Sequence, residues 1–274
     1  MKTLYVVLLL ATAATCHAKK YYDTLAAYYG TIANATAARA VLANTTIAQA
    51  FVSPNIRFRS NVGVRITEYD LFIDYIFGTL PIYPQSPFNF IGYTMRHYVE
   101  GDYVACATVD LSAVQTPFGA QYGVPATTDT ETACFTFDQQ RRILNYDTNQ
   151  DDIDAWFASF GMDFSNPPVT RLLSIYQACG NFDGACLNST AYPFQDGSCI
   201  VQLTQSALPL GIAEQSSRNN LICRLSWSIT AYRNLTRYCP IAGLNATDFC
   251  TDQGNMYMDY YTDNFFPAGT FVDS

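Results

Sequence analysis

Tyr93-Thr-Met-Arg-His-Tyr-Val-Glu100, followed by Tyr103-Val-Ala-Cys-Ala-Thr-Val109, Thr132-Ala-Cys-Phe-Thr-Phe137 and Arg141-Arg-Ile-Leu-Asn-Tyr146, is the stretch that decides the fold. Tyr93, Met95, His97 and Val99 alternate with Thr94, Arg96, Tyr98 and Glu100, the period of two expected of a half-buried strand. Gly101-Asp102 turns the chain into the next strand, and Asp138-Gln139-Gln140 separates the last two. The pattern predicts a meander of about four antiparallel strands. A sheet of that size must bury its apolar face, and the amphipathic segments ahead of it are the long candidates to cover it.

Working upstream, Tyr22, Leu25, Ala26 and Tyr29 recur at helical spacing, predicting a helix over 21–33 and, after Asn34, a second over 37–51. Ser53-Pro54 stops that helix, because proline cannot continue one. Ile56–Arg59 reads as a short strand. Thr67-Glu-Tyr-Asp70 resembles a capping box for a helix that places Phe72, Tyr75, Ile76 and Thr79 on one face. Pro81, Pro84 and Pro87 make a loop, and 117–130 reads as a second one, long enough to overhang the sheet. Asp151, Asp152 and Asp154 open a helix that ends at Gly161, where negative charge suits the N-terminus.

This order of elements resembles the NTF2-like (SnoaL-like, ketosteroid-isomerase-like) fold over residues 19–162. The resemblance is carried by Tyr28-Tyr29, the Ala50-Phe-Val-Ser-Pro-Asn-Ile-Arg-Phe-Arg59 junction, the Thr67–Phe77 helix and the Phe135–Asp138 to Arg142–Asp147 hairpin. It implies an α+β cone, helices packed on a curved antiparallel sheet, with a cavity between them and an open sheet face through which a homodimer can form. It also implies a Tyr hydroxyl from the first helix, Tyr28 or Tyr29, and a second polar group such as Asp74 or Asp110. Alternation sets Asp110 with Cys106 and Thr108 rather than with Ala105, so no catalytic residue is assigned from the resemblance.

Met1-Lys2-Thr3, an apolar run over Leu4–Ala14 and the ending Cys16-His17-Ala18 read as a signal peptide, residues 1–18, cut after Ala18. The run is too short to span a membrane. Of nine cysteines, eight remain: Cys106, Cys134, Cys179, Cys186, Cys199, Cys223, Cys239 and Cys250. An even number in an exported chain predicts four disulfides, of which Cys106 and Cys134 form one if their strands are neighbours in register. The alternatives are buried thiols or a bond across to the later half. Sequons at Asn34, Asn44, Asn188, Asn234 and Asn245 point to N-glycosylation along the same route. The expected address is therefore extracellular.

Removal of Lys2 with the leader takes the net charge from −8 to about −9, and no lysine follows Lys20. An acidic chain without a basic run repels phosphate backbones, so nucleic acid is excluded as a partner. The missing lysines exclude Schiff-base chemistry and a P-loop. No metal or cofactor is called for: the cysteines read as disulfides, and the Asp147-x-Asn149-x-Asp151 spacing lacks the Gly and Glu of a calcium loop, having Asp152 and Ala158 there.

Pro167-Pro168 marks a boundary between a domain over 19–164 and a mainly helical, cysteine-rich region over 165–274. Helices are expected over 169–179, 198–207 and 218–232, followed by an aromatic tail over 256–266. His97, the sole histidine after the leader, is the weak acid–base candidate. The face carrying Tyr93, Met95, His97 and Val99, with Tyr29 opposite, is expected to line a largely apolar cavity. Function then divides among a secreted protein that binds a small apolar molecule or an extracellular partner, a secreted isomerase or hydro-lyase, and a non-catalytic interaction glycoprotein.

Overall fold

A computed structural model describes residues 19–78, 88–115, 127–151, 153–158, 162–215, 217–246, 249–251 and 266. The leader, the loop over 81–87, most of the expected overhanging loop and all but Phe266 of the aromatic tail lie outside them. Helices α1 (Tyr22–Ile32) and α2 (Ala35–Ala43) come first. The expected second helix breaks at Asn44 into a separate 3-10 stretch, Thr45–Ala50. Strand β1 (Val52–Ser60) starts earlier than expected and contains Pro54, which is exposed where the register shifts between Val52 and Arg57. Proline is tolerated there because no ladder hydrogen bond needs its missing N–H. β2 (Val64–Ile66), unforeseen, pairs antiparallel with β1.

Helix α3 (Tyr69–Ile73) passes into a π-helical turn, Asp74–Gly78. Its N-cap is Glu68, with no side-chain capping bond, so the expected capping box is not formed. The meander follows as β3 (Phe88–Glu100), β4 (Val104–Gln115), β5 (Thr127–Phe137) and β6 (Ile143–Asp151), and then the short helix α4 (Ile153–Ala158). Strand order is β2-β1-β6-β5-β4-β3. β1 runs parallel to β6 and every other pair is antiparallel, so the sheet is mixed rather than purely antiparallel. The parallel pair is possible because the whole of α3 and the meander serve as its crossover.

Alternation buries Ala105, Ala107, Val109, Leu111 and Ala113 of β4 on the inner face of the sheet. Leu25, Tyr28, Tyr29 and Ile32 of α1 are buried against the sheet. Tyr21 stacks on Phe137 at 3.9 Å, and Phe135 stacks on Tyr146 at 4.7 Å. Helices on one face of a curved sheet, in this order, make the NTF2-like layout expected from the sequence.

Among the described residues that follow, the regular structure is helical: α5 (Pro167–Cys186), α6 (Cys199–Gln205), α7 (Leu221–Ser228) and α8 (Leu235–Tyr238), with short 3-10 turns. Pro167 occupies the first turn of α5, where its missing N–H leaves no helix bond unmade. Cys106 and Cys134 sit directly opposite each other on β4 and β5 and are bonded. Cys179–Cys199, Cys186–Cys239 and Cys223–Cys250 brace the later helices, and none of the four bonds joins the two halves.

The halves are nonetheless tightly joined. Tyr75 packs on Trp227 at 5.3 Å, and Arg237 pairs with Glu68 at 2.8 Å. Gly63, at φ 77°, lies so close to the Glu214 carbonyl that a Cβ would collide with it, and the Ser217 hydroxyl donates to the Gly63 carbonyl. The buried hydrophobic residues form one continuous cluster through both halves.

Candidate functional site

Between α1, the π-turn and the inner faces of β1, β5 and β6 lies a cavity of about 40 Å3, room for a few water molecules or a small polar fragment. Phe58, Tyr75, Phe90 and Leu111 supply its apolar wall, and Tyr28, Asp129, Glu131, Tyr146 and Thr148 its polar one. The two carboxyls come from β5. Counting back by twos from Phe135 gives Ala133, Glu131 and Asp129, all buried on one face.

Glu131 is enclosed by hydroxyls from two elements. Tyr29 donates to Oε1 at 2.6 Å, Tyr146 reaches Oε1 and Oε2 at 2.9 and 2.8 Å, and Thr148 donates to Oε2 at 2.8 Å. Burial pushes the Glu131 carboxyl above the usual range while those hydroxyls pull it back. Their own phenols, Tyr29 and Tyr146, are pushed well up by burial and by the Glu131 charge.

Asp129 is poorer in partners. Gln150 Nε2 is 3.4 Å from Oδ2, and Oδ1 makes no hydrogen bond among the described residues. Burial, then the neighbouring Glu131 and Asp151 charges, raises its pKa to about 8, so at neutral pH it is mostly the carboxylic acid. The buried Tyr28 hydroxyl, beside that of Tyr146, likewise lacks a hydrogen bond of normal geometry. Among the described residues, two unpaired polar groups thus border one small cavity and no basic side chain lines it. A buried polar group without a partner costs about 1–3 kcal/mol.

The residues expected to line the cavity fall elsewhere. Tyr29 contributes its hydroxyl to Glu131. Tyr93, half-buried, donates to the Ala26 carbonyl at 3.2 Å and stacks on Tyr29 at 5.9 Å, and Met95 packs against the core from the side. His97 and Val99 point to solvent, Val99 being 62% exposed. The cause is a bulge: Arg96 pairs with Thr108 and Val99 with Cys106, so His97 and Tyr98 together face Ala107, with His97 at φ 50°. Beyond it the faces exchange, and Tyr98 and Glu100 turn inward toward α1. There Glu100 accepts from the Tyr98 hydroxyl and from the backbone N–H groups of Lys20 and Tyr21.

Asp74 and Asp110 are also away from the cavity. Asp110 accepts from Arg96 at 2.6 Å and Thr130 at 2.8 Å on the outer sheet face. Asp74 faces the later helices, accepting from Arg233 at 3.0 Å and Tyr238 at 2.8 Å. Asp147 is paired with Arg59 at 2.5 Å, and no metal-binding cluster of His, Cys, Asp and Glu occurs among the described residues. Among them, too, no helix is long and apolar enough to cross a membrane.

No protein-family model matches the chain. It is 27% identical over 177 residues to a protein named "Aurasperone B biosynthesis cluster protein A" from Aspergillus niger, and 26% identical to the counterpart from a second strain. The match covers 59% of this chain, and the chain spans about half, 54%, of those relatives. Among solved structures it is similar to an LEH-like epoxide hydrolase from M. tuberculosis, with 11% identity over 53% of this chain and 88% of that one, at a TM-score of 0.37. An NTF2-like protein of unknown function from Exiguobacterium is similar at a TM-score of 0.30, with 15% identity over 48% of this chain and 96% of that one.

Proposed function

We propose that the cone holds a compact small molecule and performs acid–base chemistry on it, of the isomerase or hydro-lyase kind, within an exported, disulfide-braced glycoprotein. The observation that carries this reading is Asp129: a buried carboxyl with a raised pKa and an unpaired oxygen, bordering a cavity with aromatic walls. A carboxyl poised near neutral pH can donate its proton to a ligand oxygen and, once ionised, accept one from the ligand. Tyr28 offers the second polar contact. Glu131, fixed by its hydroxyls, acts through Asp129, keeping that proton in place by its charge. It is a positioning residue in this scheme. The Aspergillus relative, named for a biosynthesis cluster, supports a small-molecule role.

The small volume of the cavity favours a second reading, in which a compact ligand is held without turnover. One experiment separates the two. A panel of small acyclic ketones and enols is incubated with the protein in heavy water, and deuterium entering carbon positions is followed by NMR alongside saturable binding. Exchange that disappears in Asp129→Asn supports the enzyme. Exchange at the wild-type rate in that variant removes Asp129 from the chemistry, and binding without exchange selects the second reading.

A further inference from the structure

All five sequon asparagines are exposed in the folded chain, and three of them share a second property. Asn34 opens α2, its Oδ1 accepting from the N–H groups of Thr36 at 3.0 Å and Ala37 at 3.1 Å. Asn44 opens the 3-10 stretch that follows α2, accepting from Thr46 N–H at 3.2 Å and the Thr46 hydroxyl at 2.7 Å. Asn234 opens α8, accepting from Arg237 N–H at 3.0 Å. In each the carbonyl oxygen satisfies first-turn amides that would otherwise lack a partner. The amide nitrogen Nδ2 makes no hydrogen bond among the described residues.

Asn220, which lies in no sequon, shows the contrast. It also caps a helix, accepting from Cys223 N–H at 2.8 Å, but it is buried and spends Nδ2 on the Gln215 carbonyl at 2.8 Å. The buried cap uses both ends of its amide, whereas the exposed sequon caps use only the oxygen.

We propose that Asn34, Asn44 and Asn234 each carry an oligosaccharide on Nδ2 while Oδ1 continues to cap its helix. The sugar comes from a lipid-pyrophosphate-linked donor: the glycosyl C–O bond to pyrophosphate breaks, the C–N bond to Nδ2 forms, the lipid pyrophosphate departs with the bonding electron pair, and the one proton given up by the amide passes to solvent or to that phosphate. Transfer leaves Oδ1 chemically unchanged, so the modified chain closes into the same fold. The three sites belong to one region. Asn34 and Asn44 flank the two ends of α2, and Arg233, next to Asn234, donates to the Leu42 carbonyl of α2 at 3.0 Å. The proposal rests on export, part of the reading above.

The full chain is expressed in a eukaryotic secretory host, its mature N-terminus is determined, and amidase deglycosylation in 18O-water marks each glycan-bearing asparagine as labelled aspartate. Labels at 34, 44 and 234 are expected. Thr36→Ala and Thr236→Ala each destroy the acceptor but keep the cap, so each loses one glycan with little change in melting temperature. Asn34→Ala and Asn234→Ala lose the same glycan and the cap as well, and melt about 2–4 °C lower. A secreted protein beginning at Lys19 with those three asparagines unlabelled overturns the proposal and leaves export standing. A chain retained with residues 1–18 attached overturns export and the proposal together. Equal melting shifts for the threonine and asparagine variants show that Oδ1 does not cap, and overturn the dual role.

Discussion

Asp74 accepts a hydrogen bond from Arg233, 159 residues further along the chain, at 3.0 Å. The carboxylate sits at the start of the π-turn that presents Tyr75 and Ile76 to the cavity, and Arg233 also donates to the Leu42 carbonyl. The cysteine-rich half therefore fixes one wall of the site. Arg233→Ala leaves a mostly buried carboxylate whose one remaining hydrogen-bond donor among the described residues is the Tyr238 hydroxyl, and should cost about 2 kcal/mol in chemical denaturation. Asp74→Asn combined with Arg233→Ala should cost less than the sum of the two single changes. Strict additivity in that cycle would mean that the pair does not couple.

Removing the Tyr146 hydroxyl tests the Glu131 cluster. Tyr146→Phe takes away the donor that reaches both carboxylate oxygens and leaves Tyr29 and Thr148 in place. A loss of roughly 1–3 kcal/mol is expected, with a further rise in the Glu131 pKa. In a Glu131→Gln background the same change should cost less, which urea titration of the four proteins measures.

Asp129 makes stability fall as pH rises. Its folded pKa, about 8, lies above the ordinary carboxylate value, so across the interval between them the native state binds more protons than the unfolded chain. The contribution is fully present below the unfolded pKa and is lost progressively up to about pH 8, at about 1.4 kcal/mol per pH unit when Asp129 alone titrates. Glu131 is shifted in the same direction. Asp129→Asn should flatten the dependence of unfolding free energy on pH between 5 and 8, and a slope unchanged from wild type would assign the effect to another group.

The bulge at His97 predicts an unusual order of tolerance. At φ 50° the residue occupies the left-handed region, which glycine enters freely and β-branched residues resist. His97→Gly should be at least as stable as wild type, and His97→Val should lose about 1–2 kcal/mol. Since the imidazole is exposed and outside the cavity, neither change should alter ligand binding or deuterium exchange.

Cys186–Cys239 closes the longest of the four loops, with a sequence separation of 53. In the chain-entropy description such a crosslink restricts the unfolded state by roughly 4 kcal/mol. The Cys186→Ser, Cys239→Ser double variant should therefore unfold at clearly lower denaturant than a variant lacking Cys179–Cys199, whose separation is 20.

What could be read from the residues follows how local each feature is. The meander was legible because Ala105 to Val109 and Ala133 to Phe137 alternate without interruption, and Cys106 opposite Cys134 follows from their register. The outward turn of His97 was not, since a bulge adds one residue without a glycine to announce it and exchanges every side chain beyond it. Asp129 and Glu131 were hidden in a Thr-rich segment whose composition reads as loop up to Thr130. Extending the period of two backward from Phe135 is the signal that would have found them. The parallel pairing of β1 with β6 leaves no trace in either strand alone, because it depends on where the intervening chain brings them.

That pairing also sets an order of events. Arg59 and Asp147, joined across β1 and β6, are 88 residues apart, so the closing seam of the sheet cannot form before β3, β4 and β5 have emerged. Long-range pairing of this kind slows folding, because a large loop must be closed before its contacts contribute. Until β6 arrives, β1 presents an unpaired edge with Ile56 and Phe58 uncovered, a surface open to association with other chains. In the exported protein proposed above, threaded through a translocation pore from its N-terminus, that interval would be fixed by the rate of delivery. Substitutions that slow synthesis between residues 60 and 143 should then reduce yield without changing the stability of the molecules that do fold.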